Sequence, residues 1–558
     1  MPGHAGPGKA GMTGAQLFAR TLRHWDCGPI FHVPGEGILE ALDALADVTL
    51  ADIGAPLISC RHEAGMAYMA QAAGHALNKP GICLAGRAPG ALNSALALHT
   101  AFTDAAPMIL IIGQPSMRQS GREPFLDNDF SLAFAPVAKW IGTCSDAARL
   151  PEMLSRAWAT AMTGQRGPVV VAVNEDVWAQ SVDAPVLSPP AIARPRVPAA
   201  DADAIAAMLA GASNPVLVVG GTGWSQAGVA ALQTFALTSG LPVVTSYRRR
   251  DLMPADHPCF AGELGIGADP AVLDAVARAD LVIVAGMRLG EINTFGAGVF
   301  EGFRLLAAPQ PAQTLVHVHP DASELNRVYR ATLPVCAEAE MLFEPLGQSL
   351  SAHSLPDWSH WRSALRAARE AFAVGRPGKG PIDMREICRV LRAALPADAM
   401  LTVGAGAYAH WPQRYFPHSV YGTQLGPKSG AMGYGLSAAI GVQASCPGRR
   451  VVAMAGDGCF LMHGEELATA VLHKLPVIVI VVNNSSYGAI AASQSRHFGR
   501  TVGTDLSPVD LSAYARAFGA DGFRVETTEA FAPALASALS ADGPALIELI
   551  TGPEALRP

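Results

Sequence analysis

Short apolar segments recur along the chain and alternate with segments of helical pattern. Residues 451–455 are apolar throughout, and residues 477–482 are rich in β-branched side chains. Uninterrupted apolar runs of this length are typical of strands buried on both faces of a parallel sheet. Residues 465–474 between them predict a helix, which Leu475-Pro476 closes. The order predicts a right-handed strand–helix–strand unit whose two strands are parallel.

Similar units extend over three blocks of the chain. A proline-rich linker at residues 188–198 and a loop predicted over residues 355–381 separate the blocks. We therefore predict an α/β protein with three doubly wound parallel-sheet domains, over residues 1–185, 195–350 and 375–555. Besides the two strands above, the clearest strand predictions are residues 82–84, 108–112, 215–219, 243–244, 281–286, 315–318 and 400–403.

Composition agrees with a large, multi-domain protein. At 558 residues the chain exceeds the size that one hydrophobic core supports. Charged residues make up 16% and apolar residues 50%, whereas charged residues usually account for about 25%. We therefore expect a large buried fraction, to which a subunit interface contributes.

Charge and cysteine patterns exclude several classes of partner. The net charge is −7, with no basic block, which predicts binding to neither nucleic acid nor an anionic membrane. No apolar run reaches the roughly 20 residues of a membrane-spanning helix. Residues 1–12 lack the apolar centre of a signal peptide and predict a flexible arm. The nine cysteines are scattered without zinc spacing, which predicts reduced thiols and a cytoplasmic location.

Two polar side chains follow neighbouring predicted strands. Asp457, flanked by Gly456 and Gly458, follows one strand, and Asn484 follows the next. Open α/β sheets bind ligands at the carboxyl ends of their strands. Oxygen-bearing side chains there suit a hard cation such as Mg²⁺, which usually bridges to phosphate. The alternative is a strand-end turn and an asparagine loop without a ligand, but the spacing and the strand–helix–strand context favour the metal site.

This Gly-Asp-Gly motif followed by Asn-Asn resembles the motif of the thiamine-diphosphate enzymes, and other segments resemble their acetolactate synthase-like branch. Residues 31–35 are similar to the first strand and turn, and residues 61–65 to the segment with the cofactor-activating glutamate. Residues 88–93, 104–114 and 429–435 are similar to a substrate-side loop, the strand after it and the loop that bends the cofactor. The resemblance extends over almost the whole chain.

The resemblance implies thiamine diphosphate and Mg²⁺ as cofactors, with Asp457, Asn484 and the carbonyl of Ser486 as metal ligands. Relatives often have glutamine or asparagine at Ala407, so one side-chain contact is missing here. Met432 fits beneath the bent cofactor, and ordinary core packing is the alternative. Cys459 is either a small residue packed near the diphosphate or a reactive thiol. The implied cofactor-binding residues are Pro34, Gly35, Glu63, Gly406, Ala407, Tyr408, Gly430, Met432, Gly456, Asp457, Gly458, Cys459, Asn484, Ser486, Tyr487 and Gly488.

Glu63 is the predicted catalytic residue. In the family a carboxyl group at this position protonates the aminopyrimidine ring, and burial would raise its pKa toward neutrality. The alternative is a surface charge cluster formed with Arg61 and His62. Because the first domain of one subunit faces the third domain of another in the family, the resemblance implies at least a homodimer, with a homotetramer as the larger alternative.

The substrate side departs from the family pattern. Glu36 stands where synthases commonly have glycine, and it either relays protons or caps the following helix. Ala88 replaces a glycine, and neighbouring Arg87 either binds a substrate carboxylate or faces solvent. Leu126, after Phe125, replaces a substrate-placing amide. His463 and His497 are further candidates near the pocket mouth.

The leading functional prediction is decarboxylation of a pyruvate-like 2-oxo acid and transfer of the acyl unit to a carbonyl acceptor. The alternatives are a decarboxylase that releases an aldehyde and a catalytically silent homologue. The central block contains Gly220-Gly221-Thr222-Gly223 after a strand. FAD or another nucleotide is possible there, and a structural strand–helix turn is at least equally compatible.

Overall fold

The computed structural model describes residues 11–49, 56–294, 305–378 and 380–558. Most of the predicted N-terminal arm, residues 1–10, therefore lies outside the described residues. The chain divides into two compact units, Met1–Ile192 with Ile440–Cys446 and Ala193–Ala439 with Pro447–Pro558. Within the described residues there are three six-stranded parallel sheets. They confirm the predicted α/β class with three doubly wound parallel-sheet domains.

The first unit contains sheet one. Its elements are β1 (Met12–Thr13), α1 (Gly14–His24), β2 (Ile30–His32), α2 (Leu39–Thr49), β3 (Leu57–Ser59), α3 (Glu63–Leu77), β4 (Gly81–Ala85), α4 (Ala88–Asn93), α5 (Ala95–Asp104), β5 (Met108–Gln114), α6 (Phe130–Ala133), β6 (Trp140–Cys144), α7 (Leu150–Met162), β7 (Pro168–Asn174), α8 (Glu175–Ala179) and β8 (Ser181–Val182). The strand order is β3-β2-β4-β5-β7-β6, and β1 pairs antiparallel with β8. Because β3 and β4 flank β2 on opposite sides, the switch point lies between β2 and β4.

Sheet two is the first sheet of the second unit. The elements of this part are α9 (Ala199–Gly211), β9 (Pro215–Val219), α10 (Gln226–Ser239), β10 (Val243–Thr245), β11 (Phe260–Glu263), α11 (Pro270–Arg278), β12 (Leu281–Ala285), α12 (Glu291–Thr294), β13 (Thr314–His319), β14 (Leu333–Cys336), α13 (Phe343–Leu350) and α14 (Ser359–Val374). The strand order is β11-β10-β9-β12-β13-β14, which places the switch point between β9 and β12.

Sheet three follows. Its elements are α15 (Met384–Ala394), β15 (Met400–Val403), α16 (His410–Tyr415), β16 (Gln424–Leu425), α17 (Tyr434–Ser445), β17 (Val451–Gly456), α18 (Asp457–Phe460), α19 (Leu467–Leu472), β18 (Ile478–Asn483), α20 (Gly488–Phe498), α21 (Leu511–Ala517), β19 (Asp521–Val525), α22 (Phe531–Ser540) and β20 (Ala545–Ile550). The order is β16-β15-β17-β18-β20-β19, with the switch point between β15 and β17. Gly456 pairs with Val482, so the turns after β17 and β18 begin at the same edge of the sheet.

Buried apolar strands explain this architecture. The central strands β4, β9 and β17 are buried along their whole length, as expected for strands covered on both faces. Separate apolar clusters pack against the three sheets. The predicted strands agree with the observed ones to within a few residues. The agreement follows because short, uninterrupted apolar runs are typical of strands buried on both faces of a sheet.

One element prediction is wrong, and a second differs from the structure at its ends. The loop predicted over residues 355–381 contains helix α14, whose start buries Trp358 and whose interior buries Leu365. The Trp361 indole also donates to the Pro215 carbonyl at 3.1 Å, so apolar residues at helical spacing anchor this segment to sheet two. The helix predicted over residues 465–474 is a 3₁₀ turn followed by the short α19, and it ends before Lys474, which adopts φ 51°.

The linker prediction agrees with the structure, since residues 183–198 contain neither helix nor strand. The domain limits 1–185, 195–350 and 375–555 stay predictions, because the second compact unit contains two sheets. No helix in the described part of the chain is long and apolar enough to cross a bilayer.

Candidate functional site

A cavity of about 250 Å³ opens at the carboxyl edge of sheet three. The turns after β15, β17 and β18 line it. Every cofactor-binding residue predicted in the second unit is among the lining residues, which are Ala405, Gly406, Ala407, Tyr408, Gly430, Met432, Gly456, Asp457, Gly458, Cys459, Val482, Asn484, Ser486, Tyr487, Gly488, Ala489, Ile490, Thr551, Ala555 and Leu556.

Among the described residues that line this cavity, Asp457 is the only acidic one. It begins α18 directly after β17, and it is 6% exposed. Its Oδ2 atom is buried and has no hydrogen-bond partner among the described residues. Burial raises the pKa of this carboxyl group, and backbone N–H groups of Gly458, Ser485 and Ser486 oppose that shift. A buried acceptor without a partner is costly, and a bound cation would satisfy it, so the residues fit the predicted metal.

Asn484 extends into the same cavity from the loop after β18. Its Oδ1 accepts a hydrogen bond from the Ser486 N–H at 3.2 Å. A Cβ on Gly488 would lie 2.7 Å from the Asn484 amide nitrogen, so only glycine leaves room for this side chain. Preceding Asn483 has a structural role instead, because its amide donates to buried Glu548 at 2.7 Å.

A second segment holds the 484–488 loop in place. The Thr504 carbonyl accepts hydrogen bonds from the Tyr487 N–H at 2.8 Å and from the Ser486 hydroxyl at 3.0 Å. The Leu506 N–H donates to the Ser485 carbonyl at 2.8 Å. These bonds stabilise Ser485 in the left-handed region, at φ 51°, so the loop that presents Asn484 is ordered by the protein itself.

The two glycines beside Asp457 leave space for aromatic rings. A Cβ on Gly456 would lie 2.9 Å from the Tyr408 ring, and one on Gly458 would lie 2.7 Å from the Tyr487 ring. A side chain at either position would displace a ring that lines the cavity. The motif therefore keeps the backbone open on both sides of the carboxylate, as close approach of a phosphate requires.

Tyr408 and Cys459 form a buried pair at the base of the cavity. The Tyr408 hydroxyl donates to the Cys459 Sγ at 3.3 Å, and the Gly433 N–H reaches the same sulfur at 3.3 Å. Burial, followed by the neighbouring Cys459, raises the pKa of Tyr408 well above its usual value. Cys459 thus corresponds to the packed alternative, with its sulfur bound to two donors.

Met432 and Gly430 lie beside this pair on the loop before α17. Met432 is partly buried against the apolar cluster of sheet three and also lines the cavity, so core packing is observed and its contact with a cofactor stays a prediction. Gly430 adopts φ 73°, and a Cβ there would have open space around it. Backbone conformation, rather than lack of space, therefore favours glycine at position 430.

The remaining predicted cofactor residues, Pro34, Gly35 and Glu63, lie in the first unit. Glu63 begins α3, is half-buried, and accepts a hydrogen bond from the Asn93 amide at 2.9 Å. A Cβ on Gly90 would lie 2.4 Å from the Glu63 Oε1. The carboxylate is therefore oriented by its neighbours, which argues against an unstructured surface charge cluster. Gly35 approaches the backbone of Gly86 closely at the switch point of sheet one.

Arg87 is the centre of a charged cluster in the first unit. Its side chain is 9% exposed, forms an ion pair with Glu175, and lies 3.5 Å from the Glu36 carboxylate. Its guanidinium also donates to the Phe125 carbonyl at 3.1 Å. Arg87 therefore does not face solvent. Glu175 was missed from the sequence, although its position directly after β7 places it at a strand end like the other candidates.

The loop that carries Phe125 and Leu126 is bound to this cluster through its backbone. The Ala88 N–H donates to the Leu126 carbonyl at 3.1 Å, and Leu126 adopts φ 64°. The Phe125 side chain is 72% exposed. The two histidine candidates lie elsewhere in the second unit, with His463 buried beside Glu465 and His497 exposed on α20; neither lines the cavity.

The switch point of sheet two is filled by the protein. A Cβ on Gly221, which has φ 73°, would lie 1.7 Å from the Gly286 carbonyl oxygen. The Arg249 guanidinium is buried there, donates to the Gly221 carbonyl, and lies 3.2 Å from Asp251. This packing agrees with a structural strand–helix turn. Arg249 therefore occupies the edge of sheet two at which a nucleotide would approach this turn.

The cavity also contains residues that the sequence analysis missed. Thr551 follows β20, and Ala555 and Leu556 belong to or follow a 3₁₀ turn near the end of the chain. The apolar run of β20, followed by a threonine and a glycine, is the signal that could have identified Thr551.

Comparison with known proteins agrees with this geometry. Three family models match, namely the N-terminal thiamine pyrophosphate binding domain, the central domain and the C-terminal thiamine pyrophosphate binding domain of thiamine pyrophosphate enzymes, over residues 12–133, 202–346 and 404–549. The chain is 29% identical to the acetolactate synthase isozyme 2 large subunit of Escherichia coli, over 96% of this chain and 95% of that protein. It is 27% identical to the acetolactate synthase large subunit of Corynebacterium glutamicum, over 98% and 87% of the two chains. It is 28% identical to the acetolactate synthase of Bacillus subtilis, over 96% and 92%.

Proposed function

The chain belongs to the thiamine pyrophosphate enzymes, as the resemblance predicted, and from this membership we propose that it is an acetolactate synthase-like carboligase. In this proposal a pyruvate-like 2-oxo acid loses CO₂, and its acyl unit is joined to a carbonyl acceptor. The observation that carries the proposal is the buried Asp457 Oδ2, which has no hydrogen-bond partner in the described part of the chain and lies in a cavity lined by the motif residues. Similarity to acetolactate synthases along almost the whole chain supports the carboligase over other members of the family.

Thiamine diphosphate, when bound, supplies a nucleophilic ring carbon and takes up the electron pair left by departing CO₂. We assign the metal to Asp457, Asn484 and the carbonyl of Ser486. Diphosphate contacts come from the turns that contain Gly406 and Gly458, where the backbone is open. A carboxylate and carbonyl oxygens match the ligand preference of Mg²⁺.

Glu63 holds and moves the proton at the aminopyrimidine ring in this proposal. The Asn93 amide donates to its carboxylate, and Gly90 leaves the space that the carboxylate occupies. These contacts support a positioned acid rather than a mobile one. Glu63 and the cavity lie in different units of the chain. We propose that Glu63 of one subunit serves the cavity of another, in a cytoplasmic assembly that is at least a homodimer, with a homotetramer as the larger alternative.

The substrate side of the proposed site is built around Arg87. Its charge is matched by Glu36 and Glu175, so binding a substrate carboxylate there requires exchange with one of these partners. Leu126 offers only its carbonyl to Ala88 and has no side-chain amide. We therefore propose that acceptor selection differs from that of a synthase with glutamine at this position. No step is assigned to a flavin, because Arg249 fills the central crevice.

A product scan by mass spectrometry tests the proposal. Purified protein, thiamine diphosphate and Mg²⁺ are incubated with ¹³C-labelled pyruvate, alone and with a panel of aldehydes and 2-oxo acids. Label in a longer hydroxyketone or hydroxy acid supports carboligation and identifies the acceptor. Labelled acetaldehyde alone would favour the non-ligating decarboxylase. Bound cofactor without CO₂ release from any member of a broad 2-oxo acid panel would favour the silent homologue.

A further inference from the structure

Three consecutive arginines follow β10, and all three are buried. Arg248, Arg249 and Arg250 are 5%, 1% and 9% exposed. Burying a guanidinium group is costly unless hydrogen bonds and opposite charges satisfy it. The partners of these three side chains therefore indicate what the segment does.

Arg249 acts within sheet two. It donates to the Gly221 carbonyl and pairs with Asp251 at 3.2 Å. Both of these partners lie on sheet two or its connecting turns, and the guanidinium also lies 5.8 Å from the Tyr421 ring, which packs against the apolar cluster of the same sheet. This side chain fills the edge where an α/β sheet would otherwise bind a ligand.

Arg248 and Arg250 contact segments of sheet three instead. The Arg248 Nη2 donates to the Gly404 carbonyl at 2.9 Å. The Arg250 N–H donates to the Gln424 side chain at 2.7 Å, and its guanidinium donates to the Gln413 carbonyl. The carboxylate of Glu263, at the end of β11, accepts a hydrogen bond from the Arg248 N–H at 2.5 Å. The turn after β10 thus connects the two sheets of the second unit.

Gly404 is the first residue of the turn that lines the cofactor cavity. A Cβ at this position would lie 2.4 Å from the Cys459 Sγ and 2.7 Å from the Tyr408 hydroxyl. The backbone of residue 404 is therefore enclosed by Arg248 on its carbonyl and by the Tyr408–Cys459 pair on its other side. Cys459 also accepts a hydrogen bond from the Gly433 N–H. A shift of Gly404 would therefore displace Cys459, on the turn after β17, and Gly433, on the loop before α17.

We infer that Arg248 is a positioning residue, through which sheet two holds the cofactor-binding turn at Gly404 in its binding conformation. A charged donor makes a stronger hydrogen bond than a neutral one, and the site is buried. The inference rests on the proposed function, because it concerns the same cavity. It gives the central sheet a role in cofactor binding without a nucleotide of its own.

The test compares Arg248→Met, Arg248→Lys and the matched control Arg249→Met. Each methionine variant removes one buried guanidinium from neighbouring positions. The affinity for thiamine diphosphate at saturating Mg²⁺ is measured by calorimetry, together with the Tm of the cofactor-free protein. The KM for the cofactor and kcat at saturating cofactor are measured separately.

We expect Arg248→Met to weaken thiamine diphosphate binding about tenfold, equivalent to about 1.4 kcal/mol. The KM for the cofactor should rise by a similar factor, while kcat at saturating cofactor changes less. Arg248→Lys retains a charged donor and should lie between this variant and the parent. Arg249→Met should lower the Tm and leave cofactor affinity within about twofold of the parent, since the Arg249 guanidinium donates to the Gly221 carbonyl and not to the turn at Gly404.

Parent affinity in Arg248→Met, or equal losses of affinity in the two methionine variants, would overturn the inference. If Arg248→Met does not fold, Arg248→Gln, which shortens the side chain and removes its charge, replaces it, and parent affinity in that variant overturns the inference. These outcomes differ from failure of the proposed function, in which the parent protein itself would not bind thiamine diphosphate.

Discussion

Replacing Asp457 with asparagine should stabilise the cofactor-free protein and weaken cofactor binding. The carboxylate is buried, its Oδ2 has no hydrogen-bond partner among the described residues, and burial raises its pKa. A carboxyl group whose folded pKa is raised lowers stability at neutral pH, and the cost disappears as the pH falls through the folded pKa. Removing the charge should therefore raise the free energy of unfolding by about 1 kcal/mol.

The effect on the bound state has the opposite sign. A ligand at 100 times its Kd stabilises the folded protein by about 2.7 kcal/mol. If losing the Asp457 carboxylate raises the Kd about a hundredfold, the same concentration contributes only about 0.4 kcal/mol. The variant should then be more stable than the parent without cofactor, and less stable than the parent with thiamine diphosphate and Mg²⁺.

Thermal denaturation with and without cofactor, supported by calorimetric titration, measures both effects. Asp521→Asn is the control, because Asp521 is an exposed acid on β19 of the same sheet. The control should leave the cofactor-induced rise in Tm unchanged. An Asp457→Asn protein that keeps the parent rise in Tm would refute the metal assignment.

Three further predictions concern other residues. Glu63→Gln should retain Mg²⁺-dependent cofactor binding and lose turnover by about 10²- to 10⁴-fold; unchanged turnover would remove Glu63 from its proposed role. Gly488→Ala should displace the Asn484 amide, which lies 2.7 Å from the new Cβ, and weaken cofactor binding in a titration, whereas Gly448→Ala, with open space around its Cβ, should not. Burial raises the pKa of Glu263 to about 7, so the folded state binds the proton more tightly, and stability should fall as the pH rises from about 5 to 7. Denaturation midpoints across this range should lose that slope in Glu263→Gln, and an unchanged slope would contradict the assignment.

The pattern of apolar residues was sufficient to predict the site where functional residues directly follow buried strands. The strands β17 and β18 are apolar runs, so their ends could be predicted, and with them the common edge that carries Asp457 and Asn484. Gly456 and Gly458 could be assigned to the same edge because they flank Asp457 in the sequence. Their aromatic neighbours Tyr408 and Tyr487 come from distant segments, so the contact itself was not predictable.

Long-range polar contacts were not accessible to the sequence analysis. A run of three arginines normally indicates an exposed surface, yet Arg248 and Arg249 are buried because backbone carbonyls far along the chain accept from them. The pairing of Arg87 with Glu175 is similar, since these residues meet only after β4 and β7 are placed in one sheet. Helix α14 was missed because most of its residues are polar, charged or alanine, and few large apolar side chains, such as Trp361 and Leu365, mark its buried face.

We propose above all that the cavity at the edge of sheet three binds thiamine diphosphate through a divalent cation. The most direct measurement is a crystal structure of the protein with thiamine diphosphate and Mn²⁺, in which anomalous scattering locates the metal. We expect one peak about 2 Å from oxygen atoms of Asp457 and Asn484, a distance typical of small hard cations, with the diphosphate beside Gly458. A cofactor bound elsewhere, or a cofactor in this cavity with the metal away from both side chains, would contradict it.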